Sequence, residues 1–112
     1  MDTPAEFFDK VNAAAKKNRE AANAMDAILQ FDISGDNGGI WVVDLRKSNT
    51  GDVVSREKNP DAAATVKVSD EDWVALIKGE LDPMQAFMGG KVVIDGDMTL
   101  AMNIPSLMKL VK

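Results

Sequence analysis

Apolar residues near the start of the chain recur at the spacing of a helix, and after Ile28 they recur at the spacing of a strand. From Phe7 onward they lie three and four positions apart. Thr3, which precedes them, is suited to cap a helix. The spacing predicts an amphipathic helix that breaks near Asn18 and ends near Met25. From Ile28 the side chains alternate between apolar and polar, which is typical of a half-buried strand.

Four strands are predicted between residues 28 and 69, because clusters of glycine, asparagine and aspartate separate the alternating runs there. Each run has one apolar face, so the helices should cover one side of the sheet. The pattern therefore predicts a two-layer α+β domain. The apolar positions of the runs are Leu29, Phe31 and Ile33, then Trp41, Val43 and Leu45, then a short run near Val53 to Arg56, and finally Ala64, Val66 and Val68.

Two helices are predicted after the fourth strand. Ser69 and the three acidic residues behind it suit a helix N-terminus, and Gly79 suits a helix end. A second, short helix should begin after Asp82 and stop at Gly89. The apolar side of the first helix is predicted to carry Trp73, Val74, Leu76 and Ile77, and that of the second Met84, Phe87 and Met88.

A fifth strand and a tail helix complete the predicted elements. Val92 and Ile94 indicate the strand, which should end at Gly96, and Asp97 can cap one further turn carrying Met98. The apolar residues of the tail stand at positions i, i+3, i+4 and i+7, which predicts a last amphipathic helix. These residues are Ile104, Leu107, Met108 and Val111.

The methionines are concentrated in the last third of the chain. Methionine has three rotatable bonds and a polarizable sulfur, so it adapts to apolar partners of varied shape. Such residues can line a site for an apolar ligand, or they can fill an ordinary hydrophobic core. The pattern alone leaves both interpretations open. Five of the seven methionines lie between residues 82 and 112, namely Met84, Met88, Met98, Met102 and Met108.

The residue inventory argues against an enzyme, a metal site and a nucleic-acid binder. The chain has no histidine, cysteine or tyrosine, which removes the usual general bases and soft metal ligands. Its net charge is −5, and the basic residues between Lys16 and Arg19 are read as a solvated helix face. The run from Asp32 to Gly38 resembles a calcium loop, but its twelfth position is Val43, so a hairpin turn is predicted.

The sequence predicts a single domain spanning residues 1–112, either as a free-standing cytoplasmic protein or as a domain of a longer polypeptide. The length suits one domain with one core. The N-terminus lacks the basic and long apolar segments of a signal peptide, and no apolar stretch is long enough to span a bilayer. The final residues do not form a peroxisomal signal.

Motifs along almost the whole chain, from Phe7 to the tail, resemble those of the sterol carrier protein type 2 domain family. Their order and spacing carry the resemblance. In chain order they are Phe31-Asp32-Ile33, Gly39-Ile40-Trp41-Val42-Val43-Asp44-Leu45, Gly51-Asp52-Val53, Glu71-Asp72, Gly79-Glu80-Leu81-Asp82-Pro83, Ala86-Phe87-Met88-Gly89-Gly90-Lys91, Ile94-Asp95-Gly96-Asp97-Met98 and Leu100-Ala101-Met102.

The resemblance implies a five-stranded, mostly antiparallel sheet covered on one face by helices, with an apolar tunnel between the two layers. It implies broad binding of fatty acids, fatty acyl-CoA, sterols or phospholipids, no cofactor and no metal. Lys91 and Lys109 are candidates to meet a head-group carboxylate. The residues expected to line the tunnel are Val74, Ile77, Leu81, Phe87, Met88, Met98, Met102, Ile104, Leu107 and Met108, each of which could instead be an ordinary core residue.

Two functions remain open at the level of the sequence. The first is a non-specific lipid carrier, which is compatible with transient membrane contact. The second is a non-catalytic accessory or interaction domain associated with a lipid-metabolising enzyme. The carrier should enclose a continuous apolar cavity. The accessory domain should instead have a closed core and an exposed apolar patch. Several relatives are basic and end in a peroxisomal signal, whereas this chain is acidic and has none.

Overall fold

The first helix begins and ends where the residue pattern predicts. The structure is a computed structural model, and the residues that it describes are 3–24, 26–49 and 51–98. Helix α1 spans Pro4–Lys17, and Thr3 caps it by accepting a hydrogen bond from the Glu6 backbone N–H at 3.5 Å. Asn18 leaves the helical conformation, and helix α2 follows over Arg19–Asn23. The predicted break near Asn18 is confirmed.

Five strands form one mixed sheet. They are β1 (Ile28–Ser34), β2 (Gly39–Asp44), β3 (Val54–Ser55), β4 (Ala64–Ser69) and β5 (Val92–Gly96), in the spatial order β3-β2-β1-β4-β5. Strand β1 pairs in parallel with β4, and the other three pairings are antiparallel. The expectation of a five-stranded, mostly antiparallel sheet is confirmed.

The strand register brings the predicted apolar positions onto one face of the sheet. Phe31 on β1 lies opposite Trp41 on β2 and opposite Val66 on β4, and Val66 in turn lies opposite Ile94 on β5. Because side chains at paired positions point to the same side, these residues share one face. We call it the inner face, since it supplies the hydrophobic core.

The helices pack on this inner face. Helix α3 spans Asp70–Lys78 and contacts β1 and β4, while helix α4 spans Pro83–Met88 and contacts β5. The Ser69 hydroxyl caps α3 by accepting from the Asp72 N–H, and Gly79 ends that helix with a φ of +79°. Glycine readily adopts the left-handed conformation that this position requires. The tail helix predicted over residues 104–111 lies outside the described residues.

An aromatic cluster lies between α1, α3 and the β1–β2 half of the sheet. Phe8 stacks on Trp41 and on Trp73, with ring centroids 5.0 and 5.9 Å apart. Phe7 meets Trp73 edge to face at 5.3 Å, and Phe31 lies 5.3 Å from the same indole. Both tryptophans are buried, in agreement with their positions on the predicted apolar faces.

The connection from β3 to β4 crosses the outer face of the sheet without a helix. Because β1 and β4 run parallel, the chain must cross back over the sheet before β4 begins. Arg56 donates to the Ile40 carbonyl at one end, Asn59 N–H donates to the Gln30 side chain midway, and Ala63 N–H donates to the Ile28 carbonyl at the other end. This crossover accounts for the burial of Ile28 and Val42, which face outward.

No helix among the described residues combines the length and the apolar character that crossing a membrane requires.

Candidate functional site

The two halves of the inner face carry side chains of different size. The β1–β2 half holds the large rings of the aromatic cluster, whereas the β4–β5 half holds alanine, valine and isoleucine. Small side chains leave more room between the sheet and the helices above it. Ile94 also points inward and packs against the core, yet it remains partly exposed. The inner face is therefore incompletely covered, by the described residues, along β5.

Helix α4 is short and presents most of its apolar surface to solvent. Ala86 is fully buried and attaches the helix to the core, while Met84, Phe87 and Met88 are exposed by 59%, 38% and 78%. Residues at i, i+3 and i+4 share one side of a helix, so these three form a single stripe away from Ala86. The predicted stripe is present in the structure, but it does not face the described core.

Further apolar side chains that are partly exposed lie next to α4 and β5 in the chain. Leu81 precedes α4 and is half-buried against the core, and Met98, just after β5, is 44% exposed. Exposed apolar side chains on neighbouring elements make this region a candidate binding surface. We call the set the α4–β5 apolar surface. It consists of Leu81, Met84, Phe87, Met88, Ile94 and Met98.

The predicted lining residues fall in different parts of the structure. Leu81, Phe87, Met88 and Met98 belong to the α4–β5 apolar surface, and Ile77 lies buried in the adjacent core. Val74 lies elsewhere, on a different side of α3. The remaining predicted residues, Met102, Ile104, Leu107 and Met108, lie outside the described residues, as does Lys109.

Two residues of this surface were not among the predicted lining residues. Met84 shares the helical stripe of Phe87 and Met88, so its spacing was a signal that could have identified it. The sequence contains no such signal for Ile94, because the alternating pattern does not distinguish a partly exposed inward residue on an edge strand from a buried core residue. Its partial exposure depends on what packs above β5, which only the folded chain decides.

Val74 lines a surface groove between the start of α1 and helix α3. The groove has a volume of about 300 Å³, and its lining also includes Asp70, Glu71, Lys78 and Glu80. Three carboxylates disfavour the acidic head group of a fatty acid by charge repulsion. This groove is therefore a poor match for an anionic lipid, and Val74 does not join the α4–β5 apolar surface.

Two ion pairs lie at the edge of the sheet opposite β5. The Arg46 guanidinium donates two hydrogen bonds to Asp44 and holds the pKa of that carboxyl below its usual range. Hydrogen bonding from Lys16, and then from Asn12, lowers the pKa of Asp52. The Asp52 contacts tie α1 to the turn before β3, whereas the Asp44–Arg46 pair is local to the end of β2, and neither takes part in the apolar surface.

The described residues include no group of three acidic side chains arranged to hold a metal ion. The α4–β5 apolar surface itself consists of hydrocarbon and thioether groups. Such groups can exclude water and contact a hydrocarbon chain, but they cannot transfer protons. Lys91, next to α4, is exposed and provides a cation at the border of the surface.

Comparison with known proteins agrees with this architecture. The profile of the SCP-2 sterol transfer family matches residues 8–109. Hydroxysteroid dehydrogenase-like protein 2 from Bos taurus is 38% identical over 89 residues, which cover 80% of this chain and 21% of that protein. The Rattus norvegicus protein of the same name is 39% identical, with 80% and 17% covered. The chain thus spans about a fifth of the length of these curated relatives.

Solved structures of sterol carrier proteins share the fold. Sterol carrier protein 2 from Yarrowia lipolytica, in its apo form, superposes with a TM-score of 0.77 at 25% identity, covering 93% of this chain and 88% of that one. The sterol carrier protein domain 2 of Helicoverpa armigera gives a TM-score of 0.75 at 28% identity, with 95% and 85% covered.

Proposed function

The chain belongs to the SCP-2 sterol transfer family, and from this premise we propose that it binds and carries lipids in an apolar tunnel. The proposed ligands are fatty acids and fatty acyl-CoA, with sterols and phospholipids also accepted. The observation that carries the proposal is the inner face left incompletely covered along β5, the strand that α4 contacts. We place the tunnel entrance there.

The energetics of chain burial support a carrier without a specific polar clamp. A sixteen-carbon chain gains on the order of 13 kcal/mol when it leaves water, at about 0.8 kcal/mol for each buried methylene. Association costs roughly 4–15 kcal/mol. Apolar contacts alone can therefore give useful affinity. Because they discriminate weakly among head groups, they also favour broad specificity and release to a membrane.

The proposed role is transport by residues 1–112 as one domain, without catalysis. The absence of histidine and cysteine from the chain supports this assignment. A dehydrogenase-like activity, suggested by the names of the longer relatives, is not part of the proposal, because the match spans about a fifth of their length. The cytoplasmic location inferred from the sequence stays a prediction.

A second candidate function is an accessory domain that packs against a lipid-metabolising enzyme. The exposed apolar side chains on α4 favour it, since such a patch also suits a protein partner. The much greater length of the curated relatives favours it as well. This domain would deliver no lipid and would not need to bind one.

Direct measurement of bound and added lipid separates the two candidates. Native mass spectrometry of the purified protein, followed by organic extraction, should find a fatty acid or phospholipid at about one per chain. After delipidation, the protein should bind palmitate and palmitoyl-CoA in a calorimetric titration. A ligand-free mass together with no uptake of either added lipid would contradict the carrier function and favour the accessory domain.

A pair of matched variants tests the location of the entrance. Phe87→Ser should weaken palmitate binding about tenfold, because burying a phenylalanine is worth roughly 1.5–3 kcal/mol and 1.4 kcal/mol is a factor of ten. Val93→Ser is the control, since Val93 is exposed to a similar extent but faces outward beside Lys67. Equal losses of affinity in the two variants would show that the entrance lies elsewhere.

A further inference from the structure

We propose that the indole N–H of Trp73 donates a hydrogen bond to a neutral oxygen atom on the buried part of a bound lipid. The protein should then favour chains that carry a hydroxyl or carbonyl oxygen at that depth over plain hydrocarbon chains. This inference rests on the proposed lipid-binding function and names the class of lipid that the same site selects.

The observation behind the proposal is a buried donor with no acceptor. Trp73 is only 1% exposed, and its Nε1 atom has no hydrogen-bond partner among the residues that the structure describes. The indole nitrogen can donate but cannot accept. Buried polar groups in native proteins are nearly always paired, and leaving one unpaired costs stability. A donor of this kind is expected to find its acceptor when a ligand binds.

The surroundings of Trp73 offer only weak alternatives for this N–H. The rings of Phe7, Phe8 and Phe31 lie 5.3 to 5.9 Å from the indole, centroid to centroid. The edge-to-face contact with Phe7 could accept the N–H on its π face, but such contacts are weaker than a bond to oxygen. An oxygen atom brought by a ligand would therefore compete well.

The position of Trp73 on α3 connects it to the proposed entrance. Trp73 and Ile77 stand at i and i+4 on one side of the helix, about 6 Å apart along its axis. Leu81 follows just past the end of α3 and belongs to the α4–β5 apolar surface. A lipid that enters at this surface and follows the apolar side of α3 approaches the indole with its leading end.

The chemistry of the cluster restricts the acceptor to a neutral oxygen. An ionised carboxylate would be a buried charge with no cation among the aromatic rings, which is strongly unfavourable. A hydroxyl or carbonyl oxygen costs less to dehydrate, and one hydrogen bond compensates much of that cost. The carboxylate of a fatty acid would stay at the entrance, where Lys91 is exposed.

The first test compares ligands that differ by one oxygen atom. Palmitate and hexadecanoic acids with a hydroxyl at carbon 12 or carbon 16 are titrated into wild-type protein and Trp73→Phe. The substitution should weaken the best hydroxylated ligand about three- to tenfold more than palmitate, the range expected for one hydrogen bond. Trp41→Phe is the matched control, because Trp41 lies in the same cluster without a buried unpaired N–H, and it should affect all ligands equally.

A second measurement does not depend on any variant at position 73. The chain has two tryptophans, so a ¹H–¹⁵N spectrum contains two indole cross-peaks, and Trp41→Phe assigns them. The Trp73 indole proton should move downfield with a hydroxylated ligand and much less with palmitate. Equal shifts with both ligands, or equal losses of affinity in Trp73→Phe, would overturn the inference. Binding of palmitate in the same titrations keeps that result separate from a failure of the lipid-binding function itself.

Discussion

Phe7 and Phe87 are the same residue type at helical spacing, yet they have opposite environments. Phe7 is buried in the aromatic cluster, whereas Phe87 is 38% exposed on α4. The difference arises from what each helix packs against. Helix α1 lies across the cluster with α3 beside it, while α4 touches the edge strand β5 and is attached to the core mainly by Ala86. An exposed phenylalanine in this position can contact a ligand.

Acid should weaken the protein through Asp44. Its carboxyl accepts from Arg46 at 2.9 and 2.7 Å, and this interaction lowers its pKa. A carboxyl whose folded pKa lies below its unfolded value stabilises the fold above the unfolded value, and the contribution disappears as the pH falls through the folded value. Asp44→Asn should therefore cost up to about 1 kcal/mol at pH 7, because the pair is partly exposed, and less below about pH 4.

Urea unfolding of wild type and variant at pH 7 and pH 3 measures this dependence. Arg46→Gln removes the same pair from the other side and should follow the same pH profile. A difference in the free energy of unfolding that is as large at pH 3 as at pH 7 would contradict the role given to this carboxyl.

At the level of elements, glycines determine how the β1–β2 hairpin and helix α3 end. Gly38 lies in the hairpin turn, where an added Cβ would collide with the Ile33 carbonyl oxygen. Gly79 ends α3 with a positive φ, but an added Cβ there would meet no atom within 4 Å. The first glycine is required by close packing and the second by its backbone conformation.

Alanine substitutions at these two glycines should have different costs. Gly79→Ala should lower the free energy of unfolding by about 1 kcal/mol, the cost of a left-handed residue with a side chain. Gly38→Ala should cost more, toward the upper end of the 1–3 kcal/mol that is typical of overpacking, because the collision is with backbone. Thermal unfolding of both variants gives the comparison, and an equal or smaller cost at Gly38 would argue against the described turn geometry.

At the level of the whole molecule, the partly open inner face and the apolar tail are expected to work together. The α4–β5 apolar surface includes Met98, and the segment from residue 99 onward follows it directly in the chain. The tail is predicted from the sequence to form an amphipathic helix and lies outside the described residues. Its apolar side has the composition needed to complete an enclosure for a lipid chain.

Polar substitution of the tail should therefore reduce lipid affinity. The double variant Leu107→Ser/Met108→Ser should bind palmitate at least tenfold more weakly, because two apolar contacts worth roughly 1.5–3 kcal/mol each at full burial are lost. Ser106→Ala, in the same segment, is the control and should bind as wild type does. Truncation after Met102 should abolish binding. Unchanged affinity in the truncated protein would remove the tail residues from the proposed site.

Local pattern was sufficient to predict most of the elements. Helix α1 with its break at Asn18, the five strands and the capped helix α3 all follow from spacing, turn residues and caps, which act between neighbours in the chain. The inward positions of the sheet followed as well, since the period of two assigns each strand an apolar face. The family resemblance added the order of the motifs and the expectation of a mostly antiparallel sheet.

What the sequence determined by itself is the set of elements, their apolar sides and the likeness to one family of carriers. What only the tertiary structure decided is which apolar sides are covered. The crossover that buries Ile28 and Val42, the partial exposure of Ile94 and the lack of a partner for the Trp73 N–H among the described residues each depend on elements distant in sequence. Burial is a property of how elements are arranged in space, and alternation along a chain specifies a face without specifying its neighbour.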